Sequence, residues 1–235
     1  MAHYVVSDIH GEDDRFHKML KLIRFSKQDT LYILGDVVDR GPHGVELLRE
    51  IMQTSNMKML LGNHKFMCLR YFMPDAPEKY IQHWNRNGNT PTLEGFSKLN
   101  EQEKQETLAF LRALPTHFEI AVNGQAFYLV HGLPANTVYD EVWFRPYKDP
   151  IRSIPNCKII IGHTPVSCFV HTETEAYSRT DEQERAYVQQ MCERGELFSI
   201  FHHPQYIDID CCCGYDFPNR RLACLRLEDM QEFYV

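Results

Sequence analysis

The sequence predicts an α/β fold whose opening strands pair in parallel. Short apolar runs recur without alternation, which is how strands buried on both faces read. Each run stops at a small or polar cluster. Between the first three runs lie segments with apolar residues at helical spacing, so strand and helix alternate.

The first run, residues 4–6, ends at Ser7-Asp8. Residues 15–25 follow as a helix carrying Phe16, Met19, Leu20 and Ile23 on one face. The second run, 31–34, stops at Gly35-Asp36, and a helix over 44–52 carries Val45, Leu47, Leu48 and Ile51. The third run, 57–61, ends at Gly62-Asn63. Residues 65–124 then read as a mostly helical insertion, with helix-like stretches at 65–72 and 100–114 around a loop-rich middle at 85–91. Aromatic residues such as Tyr80, Trp84, Phe96 and Phe110 are expected to pack this insertion, one or two of them lining a lid. Runs at 126–130 and 158–161 stop at His131-Gly132 and Gly162-His163. A charged insertion at 167–204 includes Glu173, Glu175, Asp181, Glu182, Glu184 and Arg185, the pattern of a solvated helix face. Residues 206–210 and 222–227 close the chain as a pair of strands.

Composition narrows the function classes. A chain of 235 residues with 43% hydrophobic and 24% charged residues can bury a sizeable core, which excludes disordered and fibrous classes. One domain, residues 1–235, carrying the two insertions is expected. The net charge of −7 provides no global basic field, so nucleic acid is not an expected partner. Nowhere do apolar residues approach the roughly 18 in succession that a membrane helix needs. The N-terminus lacks the basic region of an export signal, so the eight cysteines point to the reducing cytoplasm. The run Cys211-Cys212-Cys213 lacks CxxC spacing and is expected to fill strand ends.

The polar residues at the strand ends carry the chemistry. In chain order they are Asp8 and His10; Asp36, Asp39 and Arg40; Asn63 and His64; His131; and His163. In open α/β sheets, ligands bind at loops beyond the carboxyl ends of strands. Carboxylate, imidazole and amide ligands without thiolate suit divalent Mn, Fe or Zn. Two such ions about 3.5–4 Å apart can acidify a bridging water and clamp a phosphoryl group. His64, next to a ligand candidate but not one itself, could protonate a leaving group when oriented by Asp39. Arg40 supplies the planar fork that suits phosphate oxygens.

Ser7-Asp8-Ile9-His10-Gly11, Gly35-Asp36-Val37-Val38-Asp39-Arg40-Gly41 and Gly62-Asn63-His64 resemble the signature blocks of the phosphoprotein phosphatase family of metallophosphoesterases. The likeness is to its compact bacterial and phage branch, typified by the lambda phage phosphatase. Spacing agrees: 28 residues separate Asp8 from Asp36 and 27 separate Asp36 from Asn63. Val130-His131-Gly132 and Gly162-His163-Thr164-Pro165 resemble the later histidine blocks.

The resemblance implies a metallophosphoesterase fold: two facing mixed sheets flanked by helices, with a dinuclear site at the strand ends. It implies Asp8 and His10 on one metal, Asp36 bridging both, and Asn63, His131 and His163 on the second. His64 would be the general acid supported by Asp39, and Arg40 and Arg145 would bind phosphate. It further implies two divalent ions, Mn²⁺ first with Fe or Zn as alternatives, and direct attack by metal-bound hydroxide. The first expected activity is serine/threonine phosphoprotein hydrolysis, acting on a phosphorylated protein or a small phosphoester. Two other readings stand beside it: symmetrical hydrolysis of dinucleoside polyphosphates, and a non-catalytic protein that binds phosphate or a partner. The sequence departs from the family at Ser7, where glycine is usual, at Lys65, where glutamate is, and at Leu61, where many members carry arginine. Leu133 also replaces a small residue usual after His131-Gly132.

Overall fold

The computed structural model describes residues 1–172 and 175–235; Glu173 of the acidic run lies outside the described residues. The first half runs β1 (His3–Val6), α1 (Asp13–Leu22), β2 (Thr30–Ile33), α2 (Gly44–Gln53) and β3 (Met57–Met59). Four helices follow: α3 (Asn63–Tyr71), α4 (Glu78–Asn85), α5 (Thr90–Ser97) and α6 (Glu101–Arg112). The second half runs β4 (His117–Val122), β5 (Gln125–Val130), α7 (Val138–Trp143), β6 (Cys157–Ile161), β7 (Phe169–His171) and β8 (Ala176–Ser178). It ends with α8 (Asp181–Glu193), β9 (Phe201–His203), β10 (Tyr206–Asp208), β11 (Ala223–Arg226) and β12 (Gln231–Tyr234).

Among the described residues the strands form two five-stranded mixed sheets and a small hairpin, β7–β8. The first sheet is ordered β12-β11-β1-β2-β3 and the second β4-β5-β6-β10-β9. Pairing is parallel along β1-β2-β3 and along β5-β6-β10, so the carboxyl ends in each set open on one edge. Strand alternation builds the layers. Val5 packs with Leu129, Ile160 and Ile207 between the sheets. Its neighbours Tyr4 and Val6 pack with Phe16, Met19 and Leu48 under the helices. On the far side of the second sheet, Tyr128, Val130, Ile159 and Ile161 form a third layer. The result is an α/β fold of two mixed sheets flanked by helices, the arrangement the sequence resemblance implies.

Several elements differ from the sequence expectation. β4 lies inside the segment read as helical insertion and pairs antiparallel with β5. Its exposed and half-buried positions leave no continuous apolar run to signal a strand. The loop-rich middle shrinks to four residues between α4 and α5. The two closing strands do not pair with each other: β10 joins β6 and β9, whereas β11 joins β1 and β12. In the charged insertion, α8 starts at a capping box between Thr180 and Gln183 and buries only Val188 and Met191. Cys211, Cys212 and Cys213 are buried free thiols, and burial pushes Cys213 up to about 12. No helix among the described residues is long and apolar enough to cross a membrane.

Candidate metal centre

Every strand-end cluster identified in the sequence reaches the same edge of the fold. Asp8 and His10 follow β1; Asp36, Asp39 and Arg40 follow β2; Asn63 and His64 open α3 after β3. His131 follows β5 and His163 follows β6. Asp8, His10, Asp36, Asn63, His64, His163, Arg40 and Arg145 all line one tight cavity of about 40 Å³. Four of these residues, Asp8, His10, Arg40 and His163, together with Asp39, adopt left-handed backbone angles with φ between 48° and 71°. That conformation is costly for residues with a Cβ and persists only where the surroundings over-determine it.

Ligand-type atoms meet in two groups that share Asp36. His10, Asp36 and His64 offer atoms within 4.8 Å of one another, as do Asp36, His131 and His163. Asp8 stands just outside the first group, with Oδ1 3.9 Å from His10 Nε2. Its Oδ2 accepts from the Ser7 hydroxyl and, at 2.9 Å, from the His163 N–H. Asn63 Oδ1 lies 2.8 Å from His131 Nε2, and Asp36 Oδ2 lies 3.2 Å from the same nitrogen.

Hydrogen bonds on the far side of the rings fix which nitrogen faces the centre. The Nδ1 atoms of His10 and His131 lie 2.9 Å from the Val38 carbonyl and 3.0 Å from the Leu34 carbonyl. A carbonyl only accepts, so each ring carries its proton on Nδ1 and turns Nε2 inward. Metal-bound histidines characteristically have this backing. His163 Nε2 is buried without a hydrogen-bond partner among the described residues. Burial, reinforced by Arg40 and by Arg145 respectively, holds His10 and His163 well below the usual imidazole range, which leaves a free lone pair. Burial opposes the charge on Asp36, yet His131 and His64 hold its carboxyl well below the usual range. His131 is raised despite burial, because Asp36 outweighs it. A carboxylate, an amide oxygen and an imidazole nitrogen this close require positive charge between them, supplied by a proton or a metal. The nitrogen and oxygen donors fit borderline divalent ions.

Two glycines permit this crowding. A Cβ on Gly35 would lie 2.1 Å from His131 Nδ1, and one on Gly62 would lie 2.1 Å from Asp36 Oδ1.

Beside the groups stands a polar relay. His64 Nδ1 donates to Asp39 Oδ2 at 2.6 Å. Trp84 Nε1–H donates to the same oxygen at 2.6 Å, and the Thr92 hydroxyl donates to Oδ1. The Asp39 N–H donates back to Thr92 Oγ1 at 2.9 Å. This fully buried carboxylate thus pins the His64 ring. On the cavity side Arg40 Nη2–H donates to His64 Nε2 at 3.3 Å, and the guanidinium lies 4.6 Å from the Tyr215 ring centre. Arg145 enters from beyond α7 and donates to the His163 carbonyl at 3.3 Å.

Several site residues lie outside the sequence motifs. Asp210 and Tyr215 line the cavity beyond β10, and Asn87 and Trp143 reach it from the helical side. Asp210 follows a strand as the other carboxylates do, so position alone could have flagged it. Burial and then the charge of Asp8 push it well above the usual carboxylate range. Trp84 and Thr92 carry no spacing signal, since they reach Asp39 from α4 and α5. Lys65, the departure noted above, is buried with no partner for its ammonium among the described residues. Burial lowers it to about 8, opposed by Asp36 and Asp8.

The family model described as calcineurin-like phosphoesterase matches residues 1–216 of this chain. A symmetrical bis(5′-nucleosyl)-tetraphosphatase of Acidovorax sp. (strain JS42) is 35% identical over 133 residues, which is 56% of this chain and 43% of the relative. The same-named protein of Acidovorax ebreus (strain TPSY) is 52% identical over 71 residues, covering 29% of this chain and 25% of the relative. The aligned segments therefore span less than half the length of these curated relatives. A crystal structure provisionally assigned as a diadenosine tetraphosphatase superposes with a TM-score of 0.59 at 18% identity, covering 100% of this chain and 92% of that one. At that identity the likeness concerns the fold.

Proposed function

The chain belongs to the calcineurin-like phosphoesterase family, a class of hydrolases, and on that premise we propose that it splits dinucleoside polyphosphates symmetrically. The observation that carries this reading is the identity with bis(5′-nucleosyl)-tetraphosphatases over more than half of the chain. These relatives favour the second enzyme reading of the sequence over serine/threonine phosphoprotein hydrolysis, and they give no support to a place in the lambda phage branch. The expected partner is accordingly a small phosphoester, and a phosphorylated protein is not supported.

In this proposal residues 1–235 form one catalytic domain. Asp8, His10 and Asp36 would hold one divalent ion, and Asp36, Asn63, His131 and His163 would hold the second. Such a pair, Mn²⁺ or alternatively Fe or Zn, supplies acidified water and positive charge against the phosphoryl oxygens. Arg40 and Arg145, which line the same cavity, present planar forks to the phosphate chain. His64, pinned through Nδ1 by Asp39, directs Nε2 toward the leaving-group oxygen and delivers a proton there. Arg40 donates to that nitrogen in the structure, so the guanidinium must move to substrate phosphate and Nε2 must take up a proton from solvent before His64 can act as the acid.

The test is a substrate panel with Mn²⁺-loaded protein: diadenosine tetraphosphate, a phosphoserine peptide and a phosphothreonine peptide. Chromatography should show diadenosine tetraphosphate turned over at least about tenfold faster than either peptide, with ADP as the sole nucleotide product; tenfold corresponds to about 1.4 kcal/mol of discrimination. Faster release of phosphate from the peptides would overturn the proposal.

A further inference from the structure

A second cavity adjoins the metal centre. It is an open groove of about 430 Å³ between α3, α4 and α7, and it shares Trp143 with the metal-site cavity. Its volume is that of a small-molecule site. Phe66, Tyr80, Tyr139 and Trp143 give it aromatic walls, and Tyr139 is 56% exposed. Arg70, Lys79 and Arg86 line it as well, and no carboxylate does among the described residues. In a chain of net charge −7, that concentration of cations selects an anion. Two of the cations are held against rings: the Arg70 guanidinium lies 5.0 Å from the Phe66 ring centre and 5.7 Å from that of Tyr80, and the Lys79 ammonium lies 5.1 Å from the Tyr80 ring centre.

The junction also carries an unused donor. The indole N–H of Trp143 is buried with no acceptor among the described residues, and its ring stands edge-on to His163 with centroids 6.0 Å apart. Asn87 lines the metal cavity while its neighbour Arg86 lines the groove, so the two cavities border one another here as well as at Trp143. A larger groove of about 710 Å³ beside α2 carries Glu46 and Glu50 and shares no residue with the metal cavity.

We infer that the groove between α3, α4 and α7 is a nucleoside subsite, in which Tyr80 and Tyr139 stack a base and Arg70 and Arg86 hold the adjoining phosphates. This rests on the proposed dinucleoside polyphosphate reading and deepens it, by placing one nucleoside of the substrate. Stacking tolerates any base, because every base has a π-face.

Calorimetric binding of ADP and of inorganic pyrophosphate to the Mn²⁺-loaded chain tests the subsite without requiring turnover. Tyr139→Ala and Tyr80→Ala should each raise Kd for ADP about tenfold while changing Kd for pyrophosphate by less than about twofold. Tyr139→Phe, which keeps the ring, should bind ADP as the wild type does. Equal weakening of both ligands, or of neither, would overturn the subsite. A wild-type chain that shows the ADP pattern yet leaves diadenosine tetraphosphate intact would refute the substrate reading and keep the groove.

Discussion

Asp36→Asn is expected to lower turnover by about a thousandfold while leaving the fold in place. Asp36 is the residue common to both ligand groups, and its two oxygens face different partners. Oδ1 accepts the His64 N–H at 3.2 Å, and Oδ2 lies 3.2 Å from His131 Nε2. Asparagine keeps the shape and one oxygen but removes the charge that both ions would share. Metal counting should give fewer than two ions per chain, and circular dichroism should be unchanged. Turnover at the wild-type rate with two ions retained would refute the shared-carboxylate assignment.

The second large effect concerns the proton. His64→Asn should cost phenyl phosphate hydrolysis about a hundredfold, because phenolate leaves poorly without a proton. The loss on p-nitrophenyl phosphate should be only a few-fold, since that leaving group departs readily as an anion. The structural basis is the 2.6 Å bond from His64 to Asp39, itself fixed by Trp84 and Thr92. Leaving-group dependence of kcat is the readout, and an equal loss on both esters would argue against a general acid.

The site was more legible in the sequence than the substrate was. The ligand candidates stand at the ends of apolar runs, and a strand end fixes direction as well as position; five loops therefore converge once the sheets form. Arg145 rests on the resemblance alone in the sequence, and the structure puts it in the lining of the cavity that Arg40 also lines. What escaped detection depends on tertiary packing. Trp84 reads as a core aromatic, and it is fully buried, yet its N–H completes the shell of Asp39. β4 lacks a continuous apolar run because one face is open to solvent; its signal is the alternation of Phe118, Ile120 and Val122 with His117, Glu119 and Ala121. The last strands lie in different sheets because the chain crosses over after β10, a step that local pattern cannot record. In the proposed reading, substrate choice resides in the helical segment between β3 and β4 and in α7, where the motifs are silent. Lys65 shows the same limit, since its type departs from the family but its burial beneath Asp36 and Asp8 emerges only from the fold.

The most direct test of a dinuclear hydrolase is titration of metal-stripped protein with Mn²⁺, counting bound ions by mass spectrometry while following diadenosine tetraphosphate cleavage. Activity should rise from near zero and saturate at two ions per chain. Full activity in the stripped protein, or saturation at a single ion, would contradict the two-metal centre built on Asp36.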